Sequence, residues 1–319
     1  MTPQKTTLPL GTLALVVFLP LSVQALPRHP PRPLVLHSLR GPAKVALRVN
    51  LRRARPATQK RQRRPAPQPL VSRRVGWGGG EQLTFEAHLG PLLAGRLAIA
   101  VGAPKGKPGS RVLRIRGRTE PIPAIAAFYR LQEDLLTTVD LHGVLPLKSS
   151  LTARHGSRVV TTTTEHGTTR RADTRQWVRR GKGKARLRRR SIGRQHHDPL
   201  TAFLALRSVP LTPGKSVELT VITGRKTYRL TGKVLAKKNL RFHRKKITCI
   251  GLEGEIYRVT DQGRPLRTPH RRFTAWLSAD RRRIPIAGSF ETKYGSLRVD
   301  LTSYHQGKRD LRVHPMALR

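Results

Sequence analysis

Alternation of apolar and polar positions at period two dominates the chain from residue 82 onward. Val217, Leu219 and Val221 alternate with Glu218 and Thr220, the pattern of a half-buried strand. Leu113, Ile115 and Gly117 alternate with Arg114, Arg116 and Arg118, which places the arginines on one face and the apolar groups on the other. The run Thr161 to Thr164 is β-branched and stiff at χ1, which favours strand over helix. Read this way, the chain predicts twelve strands near 82–90, 93–101, 111–119, 131–140, 147–155, 157–166, 216–223, 226–236, 247–258, 271–278, 285–294 and 296–304.

One segment breaks this period. Asp198 is a good N-cap, because its carboxylate can accept from free first-turn amides, and Pro199 suits the first helical position. Leu200, Phe203, Leu204 and Leu206 then give one apolar face, with Phe203 and Leu204 expected against the sheet. Pro210 and the turn Thr212-Pro213-Gly214 end the helix, predicted over 199–207. Pro121 to Tyr129 reads as a short helix or lip. Strands that follow one another through short turns form antiparallel meanders, and a dozen of them curl rather than stay flat. The expected fold is mostly β: a strongly curved antiparallel sheet or open barrel packed on one short helix, with a disordered basic N-terminal arm. Such a sheet could present an apolar concavity to a lipid-like ligand.

Five segments, in order, carry a resemblance: GGEQLTFEAHLGPLLAG (79–95), FYRLQEDLLTTVDLHGVLPLKS (128–149), DPLTAFLALRSVPLTPG (198–214), FTAWLSADRRRIPIAGSF (273–290) and YGSLRVDLTSY (294–304). The ordered set resembles the bacterial domain-of-unknown-function family 3108, a group of exported proteins, over about residues 79–305. No single segment is specific; their order and spacing are. The resemblance implies an exported protein and passes on no catalytic residue. The chain departs from the family in two basic stretches, a loop at 168–195 and AKKNLRFHRKKITC (236–249), where a shorter turn is expected.

Composition changes the picture at the N-terminus. No acidic residue precedes Glu81, and 26–80 is rich in proline and arginine, too polar to bury a core. The predicted organisation is a signal peptide at 1–25, a disordered arm at 26–78, a β-rich domain at 79–310 and a tail at 311–319. The signal reading rests on Lys5, the apolar stretch 8–23 and the small-residue site Val23-Gln24-Ala25. The unbroken apolar core, Leu10 to Leu19, is too short to span a bilayer. Arg28 and Arg32 just beyond the site oppose export by their charge. The expected location is the periplasm or another exported compartment. Cys249, the single cysteine, excludes an intrachain disulfide and reads as a small buried hydrophobe among Ile247, Ile250 and Leu252.

Charge is the loudest feature: 64 Lys and Arg against 17 Asp and Glu, a formal net charge of +47. Three clusters stand out, at 52–64, 179–190 and 241–246, and each could neutralise phosphates. Arg186, Arg188, Arg189 and Arg190 are the candidate polyanion contacts, weak and without sequence preference because they lie on expected loops. Aromatic partners for base stacking are scarce around them, and no nucleic-acid-binding motif appears. Arginine supplied by base composition alone explains the clusters equally well.

Catalytic constellations are missing from the sequence. There is no G-x-S-x-G, no H-E-x-x-H, no C-x-x-C and no phosphate-cradling loop, so no catalytic residue, cofactor site or metal site is assigned. His196-His197 is the best metal candidate and would need His166, Asp198 or His305 brought close; a flexible loop end leading to the Asp198 cap is the plainer reading. Asp140 and Asp280 read as turn residues. Three function classes follow. The first is an exported, envelope-associated, non-enzymatic protein that binds or scaffolds an amphipathic or anionic component, an anionic lipid or polysaccharide. The second is a non-specific polyanion or nucleic-acid binder, with no sequence-specific nucleic acid expected. The third is an uncharacterised enzyme. The interior of the sheet discriminates among them: filled, or open and apolar.

Overall fold

The computed structural model describes residues 74–312, apart from 108–109, 127–130, 168–171, 193–194, 293–294 and 308–309. The expected signal segment, most of the expected arm, the 52–64 cluster and nearly all of the expected tail lie outside the described residues. In chain order the elements are β1 (Arg74–Gly78), β2 (Gln82–Leu89), β3 (Leu92–Val101), β4 (Val112–Pro121), α1 (Pro123–Ala126), β5 (Leu131–Asp140), β6 (Leu145–His155), β7 (Arg158–His166), β8 (Ala172–Arg180) and β9 (Arg186–Ile192). They continue with α2 (Pro199–Ser208), β10 (Ser216–Thr223), β11 (Lys226–Phe242), β12 (Lys245–Val259), β13 (Arg271–Ser278), β14 (Pro285–Thr292), β15 (Gly295–His305) and β16 (Asp310–Arg312).

All twelve predicted strands are present. With β8 and β9 they form one 14-stranded sheet in the order β10-β11-β12-β13-β14-β15-β2-β3-β4-β5-β6-β7-β8-β9, while β1 and β16 pair separately. The sheet is antiparallel, curled and open, as the alternation predicts. Its inner face carries the core. Leu113 and Ile115 on β4 are buried while Arg114, Arg116 and Arg118 between them are exposed, so the alternating arginines do line the outer face.

Three expectations need correction. The basic stretch 168–195 is not a loop: it holds β8 and β9, paired from Ala172↔Ile192 to Val178↔Arg186. The stretch 236–249 is not a turn either, because β11 and β12 continue as a hairpin to Phe242↔Lys245. The arm does not run to residue 78. Val75 and Trp77 of β1 are 1% exposed, and the Trp77 indole N–H donates to the Ser208 hydroxyl (3.0 Å). A tryptophan between glycines carries no alternation, so β1 is silent in the sequence.

The helix departs from expectation in a way that matters. The apolar positions predict one buried face; in the structure all ten residues of α2 are buried. A helix covered on every side is a core element rather than a surface one. It packs against β1, β4, β5 and β10, on the inner side of the curl. Gly117 makes room for it, since a Cβ there would lie 2.9 Å from Leu200 Cδ2. The concavity expected for an apolar ligand is therefore occupied by the chain's own helix.

Candidate functional site

The inner face is chemically divided. From β10 through β4 in sheet order it is built mainly of Leu, Ile, Val and Phe, such as Leu219, Val234, Leu252, Leu277, Phe290, Phe85 and Ile99. From β5 through β9 the buried positions include Glu133, Thr137, Ser149, Thr162, Thr164, His166, Thr174, Gln176 and Arg190. Buried polar groups need partners, so this half must be wired together by hydrogen bonds.

The wiring converges on the seam between the two edge strands, β9 and β10. The chain leaves β9, and His197 forms a parallel bridge with Val221 of β10. The His197 amide donates to Thr220 O (2.8 Å), and the Ile222 amide donates to His197 O (2.8 Å). His196 lies 3.0 Å from His166 through Nε2 and Nδ1, and His166 Nε2 lies 2.9 Å from Ser149 Oγ. Asp198 caps α2 by accepting from the Thr201 amide (2.8 Å), Thr201 Oγ1 accepts from the Asp198 amide in return (2.9 Å), and Thr137 donates to the same carboxylate. This is a full capping box. Gln176 donates to Gly224 O (2.7 Å), and Arg190 donates to Thr227 Oγ1 (2.6 Å) and to both oxygens of Asp261. The open sheet is thus closed by side chains and the His197 backbone bridge rather than by a strand ladder.

Burial sets the protonation of these groups. It holds His166 well below the usual histidine range, with His196 and His197 adding to the effect. It lowers His197 to about 3, with a further push from His196 and a partial counterweight from the Val144 backbone. Burial raises Asp198, only partly offset by Thr137 and Thr201. On β5, burial pushes Glu133 up to about 7. For Asp261 burial acts upward, but the bonds from Arg190 and Thr227 outweigh it and the carboxyl lies below its ordinary value.

Ser149, His166 and His196 have the connectivity of a nucleophile, a base and an orienting group. The surroundings do not suit acyl transfer. The space beside Ser149 is about 10 Å³, lined also by Thr162, Thr164, Asp198 and Thr223. That is room for roughly one water. The Asp198 carboxylate stands on its wall, where a developing oxyanion would need donors. The arrangement joins strands.

Other predicted residues separate clearly. Asp198, Pro199, Phe203 and Leu204 are buried at the cap and in the body of α2. Arg186, Arg188 and Arg189 are exposed on β9, but Arg190 is 6% exposed and committed to Asp261. Its place as a polyanion contact is withdrawn, because side chains alternate along a strand and this one points into the seam. His196 and His197 are not a flexible loop end, being 3% and 2% exposed. The fold brings His166 to them and leaves His305 exposed on β15. Among the described residues no group of three or more His, Cys, Asp or Glu is placed to hold a metal ion. Asp140 accepts from the His142 amide (2.9 Å) and Asp280 bonds Ser278 and Arg282, so both are turn residues. Cys249 is fully buried, and burial, with Asp280 nearby, pushes its thiol up to about 11.

Two features escape sequence reading altogether. At the C-terminal end of α2, Arg207 makes a bidentate bond to Glu81 (2.8 and 2.7 Å), with both side chains fully buried. Arg207 also donates to the carbonyls of Arg282 and Arg283. On the outer face, a groove of about 760 Å³ crosses β10 to β15 and gathers Glu218, Glu253, Glu255 and Glu291 beside Lys233 and Arg272. Partners 126 residues apart, and four carboxylates from three strands, leave no local pattern.

Three solved structures are among those similar to this chain. A β-barrel-like protein of the domain-of-unknown-function family 1849 from Brucella abortus is 12% identical, with a TM-score of 0.43 over 72% of this chain and 98% of that one. A candidate exported protein with a YmcC-like fold from Bacteroides fragilis is 9% identical, with a TM-score of 0.35 over 73% of this chain and all of that one. A candidate lipoprotein from Parabacteroides distasonis is 6% identical, with a TM-score of 0.34 over the same shares, 73% and 100%. No protein of curated function matches the sequence. The family described as "Protein of unknown function (DUF3108)" matches residues 84–302. That match runs from β2 to β15, taking in all or part of every strand of the large sheet and the helix inside it, and on that extent the chain belongs to the DUF3108 family.

Proposed function

We propose that this is an exported, non-enzymatic protein that holds an anionic component of the cell envelope on the β8–β9 hairpin. The observation that carries the reading is the pairing of Arg175 directly opposite Arg189, both exposed, with exposed Arg179 on the same face and exposed Arg180, Arg186 and Arg188 on the other face of the hairpin. Like charges directly opposed across a strand pair destabilise it. A bound polyanion removes that penalty and gains several charge-assisted contacts at once. Leu187, 49% exposed in the middle of the cluster, adds an apolar contact suited to a lipid surface. Export is supported by the apolar stretch 8–23 and the Val23-Gln24-Ala25 site.

The test is the triple variant Arg186→Gln, Arg188→Gln, Arg189→Gln. Its binding to vesicles of anionic phospholipid should fall at least about tenfold at low salt, and the wild-type binding should weaken steeply as salt rises. Wild-type affinity retained by the variant would overturn the assignment of this hairpin. Preference for one DNA sequence by about a thousandfold would overturn the envelope reading in favour of nucleic acid.

A further inference from the structure

We propose that the contact between His166 and His196 is an acid-released latch: protonation of the pair opens the seam between β9 and β10 while the rest of the sheet stays folded. The argument starts from connectivity. The large sheet has two free ends, β9 and β10, with no ladder between them: His197, after β9, exchanges two backbone bonds with β10, and Arg190 of β9 reaches Thr227 of β11 and Asp261 by its side chain. At one end of the seam stand Arg190, Thr227 and Asp261; at the other stand Ser149, His166, His196 and the His197 bridge.

The histidine end needs at least one of its two rings neutral. An N–H···N bond between two imidazoles needs one nitrogen as donor and the other as acceptor, and an imidazolium has no acceptor nitrogen. Charging both rings makes the 3.0 Å contact a repulsion between two cations in a site 7% and 3% exposed. β6 brings Ser149 to the pair. β8 brings Thr174, in register with His166 on one side and with cationic Arg190 of β9 on the other. The segment before α2 brings His197 and Asp198. Asp198 is engaged by Thr137 and Thr201, and Arg190 by Asp261.

The pH window follows from the sign of each shift. Burial keeps His166 and His197 neutral in the closed form at pH values where an open, solvated histidine is charged. Closure is complete above about pH 6.5, and the open form gains about tenfold per pH unit for each histidine it protonates below that. Asp261 lies below its ordinary value, so its bond to Arg190 survives to lower pH and acts as a hinge. Asp198, raised by burial, opposes opening in acid.

Amide hydrogen exchange on the full-length protein tests this directly. The amides of His197 and Ile222 report the seam, since both donate across it. After correction for intrinsic exchange, their protection should fall at least about tenfold per pH unit between pH 6.5 and 5, while amides of β2 and β3 hold theirs. His166→Gln with His196→Gln should flatten that dependence. Unchanged seam protection down to pH 5 would overturn the latch, as would equal loss in β2 and β3 or a full acid response in the double variant. If the double variant does not fold, imidazole NMR of the wild type decides. His166 and His196 titrating together with the loss of seam protection supports the latch; titration without that loss overturns it.

Discussion

From β10 through β4 the inner face is aliphatic and aromatic and closes on α2; from β5 through β9 the buried positions hold Thr, Ser, Gln, Glu, His and Arg. The first half is held by burial, which is tolerant of small shifts and indifferent to pH. The second is held by hydrogen bonds whose loss leaves buried groups unpaired, and by groups that titrate. The same sheet therefore has one half fixed by shape and one half fixed by protonation state. The helix joins them, with its aliphatic body on one and its Asp198 cap on the other.

The comparison can be broken first at the body of the helix. Phe203→Ala removes a fully buried ring and should cost about 3–5 kcal/mol in urea unfolding, with the same cost at pH 5 and pH 8. An effect smaller than that of the cap substitution below would mean that the helix is not the core of the apolar half.

Glu133→Gln tests the polar half. Its carboxyl is pushed up to about 7 by burial, and its Oε1 meets no hydrogen-bond partner among the described residues. The folded value lies above the unfolded one, so the contribution is fully present below about pH 4.5 and lost as pH rises through about 7. The wild type should lose stability on the order of 3 kcal/mol across that window from this group, and the glutamine variant should not. Parallel stability–pH curves for the two proteins would show that Glu133 is solvated in solution.

The smallest expected effect sharpens the boundary between the halves. Asp198→Ala removes the cap of α2 and leaves the Thr137 hydroxyl without its acceptor. A cost of about 1–2 kcal/mol is expected, since the loss of the cap bond is partly offset by relief of a buried carboxylate. Asp198→Asn should recover most of it. Failure of asparagine to recover stability would place the role of Asp198 in its charge rather than in capping.

Much of this fold was legible from the sequence, and the illegible parts share a cause. The twelve predicted strands and the 199–207 helix follow patterns in which polarity reports burial. On β8 the inward residues Thr174, Gln176 and Val178 alternate with Arg175, Trp177 and Arg179, so polarity does not mark the face and the stretch reads as a loop. Arg207 and Arg190 look like solvated arginines because their partners, Glu81 and Asp261, are remote in the chain. At the seam, the sequence offers His196-His197 as its best metal candidate and a loop end as the plainer reading. His166 was among their possible companions, but nothing local shows that it meets His196 ring to ring.

The strand order carries one more consequence. β15 pairs with β2 in the middle of the large sheet, and β1 pairs with β16, so the start and finish of the domain are neighbours. The path of the chain is effectively a ring, and its natural opening is only one of several. A circular permutant that links the two ends and begins instead at the exposed tip between β8 and β9, Gly181 to Lys184, keeps every strand pairing intact. It would also turn the arginine hairpin into a pair of chain ends, separating what the fold needs from what the hairpin binds.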